Sequence, residues 1–269
     1  MENIMIPTFY KILSVTKETV SEYTFRVCYD KEVKHGQFFM LSIPKVGEAP
    51  ISVSAMGDGW IEFTIRKVGK LTEGIFGLEA GETIFMRGPY GNSFPLEKFK
   101  GKHLLVIAGG TGMAAVRSTL FHYEENPGEL ESLSLIAGFR DISTVLFTDD
   151  LKRFASCFTT HYTLDSTADA GSSDSADLFK EGFVTGYIDK VPIAGLSDYN
   201  IVIVGPPAMM SASVKKCIES GAAEEKIWLS LERKMSCAVG KCGHCKINET
   251  YVCLEGPVLN YSDAKNLID

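Results

Sequence analysis

Short apolar or alternating runs fill the first third of the chain: Phe9–Val15, Tyr23–Tyr29, Gln37–Ile43, Ile51–Ala55, Trp60–Arg66 and Thr83–Arg87. In Ile61-Glu-Phe-Thr-Ile65 apolar and polar residues alternate at the period of a half-buried strand. Turn-forming residues separate the runs at Asp30-Lys31, His35-Gly36, Gly47–Pro50 and Met56–Gly59. Strands this closely spaced predict a small antiparallel barrel. One helix-like piece, Leu71–Leu78, interrupts it between the fifth and sixth runs.

The pattern changes near residue 100. His103–Ala108 is continuously apolar, as a strand buried on both faces should be. Gly109-Gly-Thr-Gly112 follows at once, then a helical pattern over Met113–Tyr123 that stops at Asn126-Pro-Gly128. Ser132–Ala137 reads as strand, Val145–Phe154 as helix, and Phe158–Leu164 and Tyr199–Val204 as strands. Pro206–Ser220 reads as helix, with proline in the first turn where its missing N–H costs little. Ile227, Leu229 and Leu231 mark a last strand, and Lys246–Asp269 a hairpin plus tail. Strand–helix alternation predicts a doubly wound parallel sheet with helices on both faces. The small acidic stretch Asp165–Asp177 has too little apolar area for a core and is expected as a surface loop.

Composition narrows the partners. The chain has 269 residues, enough for two cores, and a formal net charge of −7, which argues against nucleic acid. No apolar run reaches the roughly 20 residues of a membrane helix, and the N-terminus lacks the basic start of a signal peptide. A cytoplasmic protein with reduced thiols is expected, with no membrane partner. Cys28, Cys157 and Cys217 read as packing residues.

The other four of the seven cysteines lie close together, Cys237, Cys242, Cys245 and Cys253, at spacing C-x4-C-x2-C-x7-C. Gly240 and Gly243 permit the sharp turns that let such thiols converge. The C-x4-C-x2-C start matches plant-type [2Fe–2S] spacing. Zinc also takes four cysteines, but more often from two C-x2-C pairs, and a [4Fe–4S] centre prefers a tighter run. Disulfides are the third alternative, in a chain that does not look secreted. The ranking is [2Fe–2S], then zinc, then disulfides. His244 reads as a solvated neighbour rather than a ligand, while Arg233, Lys234, Lys241 and Lys246 offset a negative centre and suit an acidic partner.

Gly109-Gly-Thr-Gly112 sits between a buried strand and a helix, where open α/β sheets bind ligands and a helix N-terminus favours phosphate. Gly205-Pro-Pro207 ends a second buried strand in the same way. A rigid structural turn accounts for either one in isolation. Arg66 offers a fork of donors for phosphate, and Thr72 opens the helix-like piece; singly, these are ordinary β-protein residues.

Taken together, these segments resemble the ferredoxin–NADP reductase superfamily over nearly the whole chain. Ala49-Pro-Ile-Ser52 is similar to its flavin motif, Thr64–Thr72 to its flavin-pyrophosphate segment, and Gly88-Pro-Tyr-Gly91 to the turn leaving its barrel. Ala108–Ala114 and Val204–Met209 are similar to its two nicotinamide-nucleotide segments. The cysteine segment narrows the resemblance to the electron-transfer subunits of dihydroorotate dehydrogenase, sulfhydrogenase and anaerobic sulfite reductase. Ser230–Cys245 and Tyr251–Pro257 look most like the electron-transfer subunit of anaerobic sulfite reductase.

The resemblance implies an FAD-binding barrel over residues 1–98, an NAD(P)-binding α/β domain over 99–231 and a [2Fe–2S] segment over 232–269. It assigns Pro50, Ile51, Ser52, Val53, Thr64, Ile65, Arg66, Gly69, Leu71 and Thr72 to FAD. It assigns Gly109, Gly110, Thr111, Gly112, Gly205, Pro206 and Met209 to the nicotinamide cofactor, and Cys237, Cys242, Cys245 and Cys253 to the cluster. Ala49 departs from the family's arginine, which leaves Arg66 to carry more of the phosphate clamp and keeps FMN open beside FAD. The implied activity is NADH oxidation, with electrons passing through FAD and the cluster to a catalytic partner that reduces sulfite to sulfide. No residue is expected to act as an acid–base catalyst. Arg140 welcomes the 2′-phosphate of NADPH and Asp141 repels it; the resemblance favours NADH. The same role for a hydrogenase or dihydroorotate dehydrogenase is the first alternative, and a zinc-stabilised binding module without redox activity the second.

Overall fold

The computed structural model describes residues 5–167, 176–192 and 195–267. By its contacts the chain divides into two compact units, Met1–Phe94 with Leu231–Val258, and Pro95–Ser230 with Leu259–Asp269. The first contains β1 (Thr8–Lys17), β2 (Glu22–Cys28), β3 (Phe38–Ile43), β4 (Gly47–Gly57), β5 (Trp60–Arg66), α1 (Lys70–Phe76) and β6 (Thr83–Tyr90). The strands close a barrel in the order β1-β2-β5-β4-β3-β6. Its strands pair antiparallel, for example through Tyr23↔Ile65 and Phe25↔Phe63.

Inward-facing Ile12, Phe25, Val27, Phe39, Leu41, Phe63, Ile65 and Ile84 fill the barrel. Burying each such side chain stabilises the fold by roughly 1.5–3 kcal/mol. Phe76 of α1 stacks on Tyr23 at 4.1 Å between ring centroids, so the short helix joins this core.

The second unit is built on β7 (His103–Gly109), β8 (Ser132–Phe139), β9 (Thr159–Leu164), β10 (Phe179–Glu181), β11 (Tyr199–Val204) and β12 (Ile227–Ser230). These strands are parallel. With β15 (Val258–Asn260) the order is β10-β9-β8-β7-β11-β12-β15. Successive strands run outward from β7 to β10, and the chain then crosses back to place β11 on the other side of β7. The β7/β11 junction is therefore the topological switch point, where open sheets take ligands. Helices α2 (Leu96–Phe99), α3 (Gly112–Glu125), α4 (Thr148–Cys157) and α5 (Pro207–Glu219) complete the layer.

Several expectations need correction. Gly47–Pro50 is not a turn but the first part of β4, pairing with β3 as far as Ile43↔Gly47. Turn-type residues there gain strand partners from β3. The strand expected to end at Arg87 runs on to Tyr90 through Gly88-Pro89. The helix expected from Val145 begins at Thr148, because Val145, Leu146 and Phe147 are buried as irregular chain, with Phe147 at φ +57°.

The last region holds the expected hairpin, β13 (Lys246–Ile247) with β14 (Thr250–Tyr251), followed by α6 (Val252–Glu255). The expected tail instead supplies β15 to the large sheet and then α7 (Tyr261–Ala264). Of the expected acidic loop, residues 168–175 lie outside the described residues. Among the described residues no helix is long and apolar enough to cross a membrane.

Candidate functional site

The predicted flavin residues gather on one side of the barrel. Pro50, Ile51, Ser52 and Val53 lie on β4, and Thr64, Ile65 and Arg66 on the end of the adjacent β5. Gly69, Leu71 and Thr72 stand where the chain turns from β5 into α1. The two strands are out of step at Ser54, with Val53↔Phe63 followed by Ala55↔Glu62. That irregularity brings the fully buried Ser54 hydroxyl within 3.0 Å of Thr64 Oγ1, which is also 2.9 Å from Thr24 Oγ1.

Thr72 spends its hydroxyl on its own turn. It accepts from the N–H groups of Val68 at 2.9 Å and Gly69 at 3.0 Å, and donates to the Gly69 carbonyl at 2.9 Å. Arg66 donates through Nε to Glu22 at 2.5 Å. Burial pushes the Glu22 carboxyl up, but hydrogen bonds from Thr19, Arg66 and Ser21 outweigh it and hold the group below its usual range. Arg66 is thus anchored at its inner nitrogen while the side chain remains about half exposed, at 48%.

In the second unit the two glycine turns meet at the switch point. A Cβ on Gly205 would lie 3.1 Å from the Gly109 nitrogen, and one on Gly112 would lie 2.5 Å from the Val204 carbonyl oxygen. Gly110 takes φ +52°. Met209, on the first turn of α5, reaches back over Gly109. The fold therefore brings together Gly109, Gly112, Gly205, Pro206 and Met209, which the sequence offers as two separate segments. Arg140 donates through Nε to Asp141 at 2.9 Å, and Asp141 caps the turn at 142–144 by accepting from Ser143 N at 3.0 Å. Hydrogen bonds from Ser143 and Arg140 hold this carboxyl below its usual range.

The cysteine segment belongs to the same compact unit as the barrel. Its backbone adopts left-handed conformations at Ala238 (φ +60°), Gly240 (+69°) and Gly243 (+78°). For alanine this conformation costs about 1–2 kcal/mol. The resulting wrap aims N–H groups at sulfur. Cys237 Sγ accepts from Lys241 at 3.2 Å and from Val239 and Cys242 at 3.4 Å, and Cys253 Sγ accepts from Gly240 at 3.2 Å. Several donors on one sulfur suit a thiolate ligand better than a neutral thiol, so the segment fits a metal–thiolate centre.

Backbone hydrogen bonds from His244 and Cys237 bring the exposed Cys242 thiol down, while burial pushes Cys253 up. Among the described residues no three His, Cys, Asp or Glu side chains form a single-ion site.

Sequence reasoning missed the group that ties this segment down. Arg87 on β6 is buried, with a side chain only 5% exposed. It meets the Glu48 carboxylate with two nitrogens, at 2.7 and 2.5 Å, and donates to the carbonyls of Ser236 at 2.7 Å and Cys237 at 2.8 Å. Tyr90 OH lies 3.1 Å from Nη1. A second tie is Asn92, whose Nδ2 donates to the carbonyls of Glu255 and Val258. An arginine within the apolar run Ile84-Phe-Met-Arg87 was the available signal.

Two families match the chain. "Oxidoreductase NAD-binding domain" covers residues 106–215, and "Iron-sulfur cluster binding domain of dihydroorotate dehydrogenase B" covers 232–265. The chain is 34% identical to Sulfhydrogenase 1 subunit gamma of Pyrococcus furiosus, over 94% of this chain and 90% of that protein. It is 29% identical to a probable dihydroorotate dehydrogenase B (NAD(+)), electron transfer subunit, of Thermoplasma acidophilum, over 88% of this chain and 83% of that one. Among solved structures, an NADH-dependent reduced ferredoxin-NADP oxidoreductase shares the fold with TM-score 0.78 at 22% identity. The match covers 95% of this chain and 89% of that one.

Proposed function

Since the chain belongs to the family of the sulfhydrogenase gamma subunits and the dihydroorotate dehydrogenase B electron transfer subunits, we propose that it is the electron-transfer subunit of a multi-subunit redox complex. Its donor is NADH, its carriers are FAD and a [2Fe–2S] cluster, and its acceptor is a catalytic partner subunit. A flavin accepts electrons as a pair and releases them singly, and a two-iron cluster takes one at a time. The protein supplies position and electrostatics.

On this reading FAD lies along Pro50–Val53 and Thr64–Arg66, with Gly69, Leu71 and Thr72 at its phosphates. The nicotinamide nucleotide lies at the switch point, over Gly109–Gly112, Gly205, Pro206 and Met209. The observation that carries the proposal is the set of backbone N–H groups aimed at Cys237 and Cys253. Arg140 and its partner Asp141 pull in opposite senses on a 2′-phosphate, and the likeness to the dihydroorotate dehydrogenase B (NAD(+)) subunits supports NADH.

The proposed acceptor is a sulfite-reducing subunit, which the run Ser230–Cys245 supports. A hydrogenase or a dihydroorotate-oxidising partner is the second reading, favoured by the likeness to the sulfhydrogenase and dihydroorotate dehydrogenase subunits. Anaerobic purification with the native partner tests both. Sulfite-dependent NADH oxidation supports the first, hydrogen- or dihydroorotate-linked turnover the second, and colourless protein holding zinc in place of iron and sulfide rejects the whole proposal.

A further inference from the structure

The five N–H groups of a guanidinium are all engaged at Arg87. Nε and Nη2 grip Glu48, Nη2 also meets the Ser236 carbonyl, and Nη1 meets the Cys237 carbonyl and Tyr90. Glu48 and Tyr90 come from the barrel strands β4 and β6, and the two carbonyls lead into and out of the first cysteine of the wrap. A buried cation therefore sits on the peptide carbonyls at the first of the four thiol ligands, and the same guanidinium holds a carboxylate.

From this geometry we infer that Arg87 is a positioning residue of the iron–sulfur site, fixing the Cys237 peptide, and that the Arg87–Glu48 pair sets the reduction potential of the cluster. The inference rests on the reading of the four cysteines as cluster ligands. Reduction adds one negative charge to an already anionic thiolate centre. A neighbouring cation favours the reduced form, and a neighbouring anion opposes it. The two members of the pair should therefore act in opposite senses. Lysine keeps the charge but, as a single ammonium on a flexible stem, cannot span a carboxylate and two carbonyls at once.

The test uses the full chain with FAD, reconstituted anaerobically with iron and sulfide, and reads iron and sulfide content together with an EPR-monitored redox titration. Arg87→Met should shift the cluster midpoint to lower potential, and Glu48→Gln should shift it higher. Arg87→Lys should stay near the wild-type midpoint with reduced iron content. Should Arg87→Met fail to fold, Glu48→Gln and Arg87→Lys still carry the comparison. Midpoints that move together, or not at all, in variants that hold the cluster overturn the inference. A wild-type chain that takes up no iron and sulfide overturns the underlying reading first, and the inference with it.

Discussion

Gly109 and Met209 stand so close that a Cβ on the glycine would lie 2.2 Å from Sδ of the methionine. The two residues belong to different strand–helix turns, and their approach is what makes one floor out of two segments. At Gly112 the obstacle is of another kind, the backbone carbonyl oxygen of Val204 at 2.5 Å. A thioether end can swing aside, whereas a strand carbonyl cannot. Gly109→Ala should therefore fold with a stability change below about 1 kcal/mol, and Gly112→Ala should lose roughly 1–3 kcal/mol. Denaturant melts of the two variants check the contrast. Gly109→Ala should still weaken NADH binding, since Met209 must leave its seat, and titration of flavin bleaching by NADH reads that loss.

Glu22 supplies a pH dependence whose sign is fixed. Its side chain is 1% exposed, and its carboxyl titrates below the ordinary value of 4.5. A depressed carboxyl adds stability that is fully present above the unfolded-state value and is lost as pH falls toward the folded-state one. Unfolding free energy should thus decline on acidification below about pH 4.5, and Glu22→Gln should flatten that decline. At neutral pH the same variant should be less stable by roughly 1–3 kcal/mol, the worth of hydrogen bonds to a charged group. Urea titrations across the acid range measure both effects.

Thr72 closes the turn between β5 and α1 with one hydroxyl that accepts two hydrogen bonds and donates a third. Thr72→Val keeps the shape and removes all three, which should cost roughly 1–2 kcal/mol. Thr72→Ser should retain most of it. If the turn holds a flavin phosphate, as proposed, the valine variant should also bind FAD more weakly than the serine variant in a fluorescence titration.

Gly240 combines φ +69° with an N–H group on Cys253 Sγ and with Leu254, whose Cδ1 lies 2.2 Å from where a Cβ would stand. Gly243, at φ +78°, has open space around it. The left-handed backbone alone costs an alanine about 1–2 kcal/mol at either position. Only Gly240→Ala adds the collision with Leu254. Iron and sulfide retained per chain after gel filtration should fall further in Gly240→Ala than in Gly243→Ala.

Much of this arrangement was legible in the residues themselves. The barrel strands announce themselves by alternation and the sheet strands by unbroken apolar runs, because each burial pattern is a local property of the chain. The start of β4 was hidden because glycine and proline near Gly47 and Pro50 read as a turn until their β3 partners are known. Both β10 and β15 are three residues long, too short to show a period. The cysteine spacing is a local signal and was readable. Arg87 was readable at most as a cation in an apolar run, since its carboxylate and carbonyl partners lie 39, 149 and 150 positions away along the chain. Nothing in its own neighbourhood shows that it clamps Cys237.

Strand β12 ends at Ser230, β15 begins at Val258, and the two are neighbours in one sheet, with the Leu231 N–H donating to the Pro257 carbonyl at 2.9 Å. The thiol-bearing stretch thus enters and leaves through a single doorway. A splice of a few residues across it spares both flanking strands their rearrangement. Yet the stretch is no detachable module: without it Arg87 and Asn92 would lose the carbonyls they hold, so the barrel and the loop it grips must change together.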